Sequence, residues 1–180
     1  MADETRLGAT TPTAVLPYLA GLDGLRALAV AAVIIYHTSN GWLPGGFLGV
    51  EVFFVVSGYL ITLLLIGEFE RTGRIDLKNF WLRRARRLLP ALFLLLIGLT
   101  TWVAIFRREE LGALRGDVFA GLTYVSNWFQ IWTGDGYTEA LQFAPLRHLW
   151  SLAVEEQFYV IWPIVMIGLS RVGLRRLPNL

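Results

Sequence analysis

The sequence predicts an all-α protein, a multi-pass transmembrane helical bundle of four to five spans. Three observations predict it. Of the 180 residues, 55% are hydrophobic and only 17% are Asp, Glu, Lys or Arg, where an ordinary soluble domain has about a quarter charged. The segment Leu88 to Phe106 has no charge and no polar face to show water. Seven Trp, eleven Phe and six Tyr supply the side chains that collect at membrane interfaces.

The same composition excludes several classes of function. The net charge is +2, so the chain is no acidic or basic disordered tail. Its arginines come in short clusters between apolar runs, which argues against nucleic acid as a partner. There is no cysteine, which removes disulfide scaffolds, thiolate metal sites and cysteine nucleophiles. Two histidines without ligand spacing predict no metal site.

A crossing helix needs about 20 mostly apolar residues. The candidates are Leu22 to Thr38, Phe47 to Gly67 with Glu51 inside it, Leu88 to Phe106, and Leu149 to Ser170 with Glu155 and Glu156 near its start. A fourth segment in chain order, Val118 to Thr133, is short and carries Thr123, Ser126, Asn127 and Gln130, so its crossing is doubtful. Residues 1–17 form a polar tail without the basic start of a secretory signal, and residues 18–180 form the transmembrane domain. Pro17 lies just upstream of the first helix, and Asp23 is placed to cap it. Asn40, Gly41, Pro44, Gly45 and Gly46 predict a tight turn to the second helix.

Arg83, Arg84, Arg86 and Arg87, with Arg71, Arg74 and Lys78, are the densest basic stretch. The positive-inside rule puts Glu68 to Arg87, and with it the amino terminus, in the cytoplasm. Arg171, Arg175 and Arg176 belong inside by the same rule. Five crossings from a cytoplasmic start end outside and four end inside, so either the doubtful segment is re-entrant or the tail arginines break the rule.

Charges in membrane spans are costly and begin as functional candidates. Arg26 and His37 are eleven positions apart, about 20° past three full turns, hence on one helix face and about 16 Å apart. One reading is a histidine base in a polar cavity lined by the arginine. The other is that Arg26 snorkels to the headgroups and His37 marks the outer interface. Arg84 and Arg87 share a face as a phosphate clamp requires, beside Arg83, or they are a topology signal only. Glu155, flanked by Trp150, Phe158, Tyr159 and Trp162, is a partly desolvated carboxylate suited to pairing or proton transfer. Tyr124, Asn127 and Trp128 either bind a polar substrate or join helices. Gly58 follows Ser57, but the spacing around that serine is wrong for a nucleophile elbow.

Four elements occur in a telling order: Leu22-Asp23-Gly24-Leu25-Arg26 with ten residues to His37; Gly49-Val50-Glu51-Val52-Phe53-Phe54-Val55-Val56-Ser57-Gly58; Phe80-Trp81-Leu82-Arg83-Arg84-Ala85-Arg86-Arg87; and His148-Leu149-Trp150-Ser151-Leu152-Ala153-Val154-Glu155-Glu156-Gln157-Phe158-Tyr159. Together they resemble the membrane acyltransferase-3 family of bacterial O-acyltransferases. The resemblance runs from Tyr18 to Pro163 and covers the amino-terminal half of such a domain, whose full bundle has about ten spans. It implies a multi-pass enzyme of the inner (plasma) membrane. Such an enzyme moves an acyl group, here acetyl, from acyl-CoA to a hydroxyl of a cell-envelope glycan, lipopolysaccharide or related glycolipid. No tightly bound cofactor is expected; acetyl-CoA is a co-substrate. The implied catalytic residues are His37, Arg26 and Glu155, with His37 as general base or acyl carrier, and the donor site is Arg83, Arg84 and Arg87. The competing readings are a transporter or flippase module and a non-catalytic truncated fragment.

Overall fold

The computed structural model of the chain describes residues 19–38, 42–134 and 143–172. The tail 1–17 with Pro17, the turn residues Asn40 and Gly41, and Arg175 and Arg176 lie outside the described residues. The described residues are helical or in turns, and they fall into two compact units divided between Ile75 and Asp76.

The first unit holds α1 (Ala20–Thr38), a 3-10 turn (Pro44–Leu48) and α2 (Gly49–Thr72). The expected cap is corrected: α1 begins three residues ahead of Asp23, which lies in its first turn. There a carboxylate favours the helix through its dipole instead of terminating it. Pro44 opens the 3-10 turn, where its missing N–H costs nothing. Gly46 and Gly49 then let the turn and α2 press against the α1 backbone. A Cβ on Gly46 would meet the Ala32 carbonyl oxygen at 2.4 Å, and one on Gly49 would meet that of Ala29 at 2.3 Å. α2 runs past the expected end at Gly67 through Glu68 to Thr72. It stops at Gly73, whose φ of 71° is the left-handed cap, with its N–H donating to the Phe69 carbonyl at 2.7 Å.

The second unit holds α3 (Leu77–Phe106), a 3-10 turn (Arg108–Glu110), α4 (Leu111–Leu122), α5 (Ser126–Thr133) and α6 (Leu149–Val172). Asp76 caps α3, its side chain accepting from the Asn79 N–H at 3.1 Å and from Asn79 Nδ2 at 2.6 Å. The basic stretch is therefore helix, and α3 has 30 residues, about 45 Å at the usual rise. Leu92, Leu96 and Val103 of α3 bury against Leu114 of α4 and Leu146. The rest of α3 turns Leu94, Ile97, Ile105 and Phe106 outward, an apolar exterior suited to lipid and not to water.

The doubtful segment is broken. α4 has 12 residues and α5 has 8, each short of a crossing. Tyr124 between them has φ of 54°, a left-handed conformation that is an outlier for a bulky residue. Among the described residues, four helices are long and apolar enough to cross a bilayer: Ala20–Thr38, Pro44–Thr72, Leu77–Phe106 and Leu149–Arg171. Contacts run in opposite order along α3 and α6. Gly121 of α4 lies between Leu96 and Leu149, Arg84 meets Glu156, and Trp81 meets Tyr159. The two helices are antiparallel.

Candidate active site

Polar side chains in apolar surroundings collect at two places, one in each unit. In the first unit α1 is continuous from Arg26 to His37, so the eleven-residue spacing becomes a real separation of about 16 Å. Arg26 is half-buried and lies over the Phe53 ring of α2, 4.7 Å from its centroid, a cation–π contact strengthened by desolvation. Its Nε is buried without a hydrogen-bond partner. One turn along α2 from Phe53, Ser57 is 3% exposed and its hydroxyl also has no partner. Thr62 on the same helix satisfies its own hydroxyl by donating to the Gly58 carbonyl at 2.7 Å.

His37 is exposed near the end of α1. Its Nδ1 lies 2.8 Å from the Val33 carbonyl. A carbonyl only accepts, so Nδ1 is the nitrogen that donates, which in the neutral tautomer makes Nε2 the basic one. Tyr36 stands edge-on to the imidazole at 5.1 Å and to Phe47 at 5.8 Å. This is the tautomer a general base requires. Glu51 is exposed in the first turn of α2.

In the second unit three consecutive residues of α6 point in three directions, as 100° steps require. Glu155 accepts from the Tyr159 hydroxyl one turn along its own helix. Glu156 reaches α3 and accepts from Arg84 at 3.3 Å, with side chains 16% and 23% exposed. Gln157 reaches the break between α4 and α5. The Arg84 guanidinium carbon also lies over the buried Tyr159 ring, 3.4 Å from its centroid, and Trp81 Nε1 donates to the Tyr159 carbonyl at 3.1 Å. Arg84 Nε has no partner, and an orphaned donor of this kind costs about 1–3 kcal/mol. Arg83, Arg86 and Arg87 are exposed. The expected Arg84–Arg87 pair is thus divided, one guanidinium turned inward and the other outward.

Gln157 answers the broken helix. Its Nε2 donates to the Tyr124 carbonyl at 2.8 Å and to Asn127 Oδ1 at 2.9 Å. Its Oε1 accepts from Asn127 Nδ2 and Trp128 Nε1, each at 3.3 Å. Gln130 Nε2 donates to the Arg147 carbonyl at 2.9 Å. Tyr124 lies in the joint, outside the four long helices. Asn127 and Trp128 therefore join helices, one of the two roles their sequence context left open. Gln157 was the residue missed. Its signal was available: it is the third polar residue in a row in an otherwise apolar helix. Among the described residues no cluster of three His, Cys, Asp or Glu is placed to hold a metal ion.

The sequence profile of the acyltransferase-3 family, described as an acyltransferase domain, matches residues 19–177. The O-acetyltransferase OatA of Staphylococcus aureus strain NCTC 8325 is 52% identical over 149 residues, which is 83% of this chain and 25% of that protein. OatA of Staphylococcus aureus strain COL matches with the same 52% identity over 149 residues. The chain spans about a quarter of the length of the curated relatives it matches. No solved structure matches it with significance.

Proposed function

The chain belongs to the acyltransferase-3 family, and from that premise we propose that the protein is an integral membrane O-acetyltransferase. Its donor is acetyl-CoA, and its acceptor is a hydroxyl of a cell-envelope glycan or glycolipid. The observation that carries the reading is His37. It sits eleven residues from Arg26 on one continuous helix, with Nδ1 committed to the Val33 carbonyl. The relatives named O-acetyltransferase support acetyl as the group moved.

The acceptor hydroxyl gives its proton to Nε2 of His37 as its oxygen attacks the thioester carbonyl. The carbon–sulfur bond breaks, and the coenzyme A thiolate leaves and takes up a proton. An acyl-imidazole on His37 is the covalent variant of the same chemistry. At about 16 Å along the helix, Arg26 is too far to share one carbonyl oxygen with His37. Orienting a distal part of a substrate suits it better than stabilising the oxyanion. The donor enters at Arg83, Arg84 and Arg87, and Glu155 holds the Tyr159 hydroxyl beneath Arg84. The membrane is the inner membrane, with the amino end of α1 and the turn after α2 in the cytoplasm, as the basic stretch suggests.

The break between α4 and α5 also suits a carrier. A carrier moves its cargo without cleaving a thioester, so release of coenzyme A thiol separates the readings. In full-length protein in proteoliposomes, His37→Ala lowers thiol release with an acceptor by about 10²–10⁴-fold, with membrane insertion intact. Turnover within a few-fold of wild type would remove His37 from the chemistry.

A further inference from the structure

The expected donor site treats Arg83, Arg84 and Arg87 as one set of charges. The geometry separates them. Arg84 gives one N–H to Glu156 at 3.3 Å, lies 3.4 Å from the centroid of the Tyr159 ring, and leaves Nε without an acceptor. Tyr159 is itself committed, with its hydroxyl on Glu155 and its carbonyl on Trp81. A guanidinium so paired has its charge cancelled locally by a carboxylate. It has five N–H donors, and the protein does not use them all. Such a group suits an uncharged oxygen better than a phosphate, because a phosphate would sit beside Glu156 and be repelled.

Arg83, Arg86 and Arg87 present the opposite arrangement. They are exposed, and no ion pair among the described residues engages them. Arg83 and Arg87 are one turn apart on α3, about 40° from each other, and Arg86 lies about 60° beyond Arg83. Three unneutralised guanidiniums on one arc are a phosphate surface.

We propose that Glu156 and Tyr159 are positioning residues that make Arg84 a donor to an uncharged carbonyl oxygen of the thioester-bearing arm, while Arg83, Arg86 and Arg87 take the phosphates of the nucleotide end. This rests on the acetyl-CoA donor proposed above. It divides that donor between one inward-turned and three outward-turned arginines of one helix.

The test uses the full-length protein in nanodiscs and two probes that split the donor: adenosine 3′,5′-bisphosphate and S-acetylpantetheine. Titrations are run at several salt concentrations, in phosphatidylcholine alone and with phosphatidylglycerol added. Glu156→Gln weakens acetylpantetheine about ten-fold, and it tightens bisphosphate binding with a steeper salt dependence, because Arg84 regains its charge. Arg84→Lys keeps the charge but loses the planar fork and the stacking. It weakens acetylpantetheine and leaves bisphosphate within two-fold, which also shows that the variant is folded. The double variant Arg83→Gln, Arg87→Gln does the reverse and flattens the salt dependence.

Loss of bisphosphate binding in Arg84→Lys, with acetylpantetheine unchanged, overturns the division while leaving the acetyl-CoA reading standing. If Arg83→Gln, Arg87→Gln changes only the retention of phosphatidylglycerol, the outward arc is a headgroup contact and the assignment to the donor fails. Wild-type protein that ignores both probes overturns the acetyl-CoA reading and this inference with it.

Discussion

Gln157 and Asn127 exchange two amide hydrogen bonds between α6 and α5. Gln157 Nε2 donates to Asn127 Oδ1 at 2.9 Å, and Asn127 Nδ2 donates to Gln157 Oε1 at 3.3 Å. The same Gln157 nitrogen holds the Tyr124 carbonyl, which the left-handed turn at Tyr124 removes from the helical ladder. Non-helical backbone at membrane depth persists only where protein groups or water satisfy it. Backbone bonds take up the Thr123, Tyr124 and Val125 N–H groups, and the Gln157 side chain of α6 supplies the partner for the Tyr124 carbonyl.

Gln157→Leu should therefore loosen the α4–α5 joint more than a surface change would. Interhelical hydrogen bonds in membranes are worth about 0.6 kcal/mol on average and up to about 1.7. Several are lost at once, so a destabilisation of about 1–3 kcal/mol is expected. Thermal unfolding of the full-length protein in detergent reads it. A melting temperature equal to wild type would show that the joint is held by something other than Gln157.

Gly46 and Gly49 make a sharper steric prediction. Alanine at Gly49 puts a Cβ 2.3 Å from a backbone oxygen of α1, and backbone cannot swing aside as a side chain can. Overpacking of this kind costs about 1–3 kcal/mol. Gly45, one residue from Gly46, has nothing within 4 Å of a Cβ, so Gly45→Ala is the control. Equal stability of the Gly45 and Gly49 variants would mean that α1 and α2 are not in the close register described.

Legibility in the sequence followed the physics each signal reports. Hydropathy located α1, α2, α3 and α6 because lipid selects for apolar side chains, and at Phe106 and Leu149 the bounds agree with the structure. It missed the first turns of α3, where Lys78, Asn79 and four arginines interrupt the apolar residues yet continue the helix, with Asp76 as cap. It also missed the end of α2, where Glu68, Glu70 and Arg71 continue the helix beyond the apolar run. The break at Tyr124 was visible only as unusual polarity in Val118 to Thr133, because the left-handed position is held by Tyr124 and not by a Gly. Arg26, Arg84 and Glu155 were found by their charge. Their partners Phe53, Glu156 and Tyr159 were not assigned to them, since spacing along one helix says nothing of which side chain another helix presents.

The break also settles which crossing count to test. With α4 and α5 too short to span and α6 antiparallel to α3, four crossings return Arg171 to the side of the α3 amino end. The chain has no cysteine of its own, so Gly45→Cys and Gly73→Cys report without background from it. In intact cells an impermeant thiol reagent should label the first and spare the second. The reverse pattern would invert the proposed orientation and place Arg83, Arg86 and Arg87 away from cytoplasmic acetyl-CoA.

Ser57 gives a prediction in which stability and activity move apart. Its hydroxyl is 3% exposed and has no partner, a cost of about 1–3 kcal/mol to the fold. Ser57→Ala removes the hydroxyl and little else, so the melting temperature should hold or rise. Thr62→Val, which deletes a hydroxyl bonded to the Gly58 carbonyl, should not raise it. A donor kept at such cost one turn from Phe53 is expected to serve a substrate oxygen, so acetyl transfer in Ser57→Ala should fall about ten-fold even though the protein is no less stable. A loss of stability above about 1 kcal/mol would show that the hydroxyl already has a protein partner. Full transfer activity would show that no substrate atom uses it.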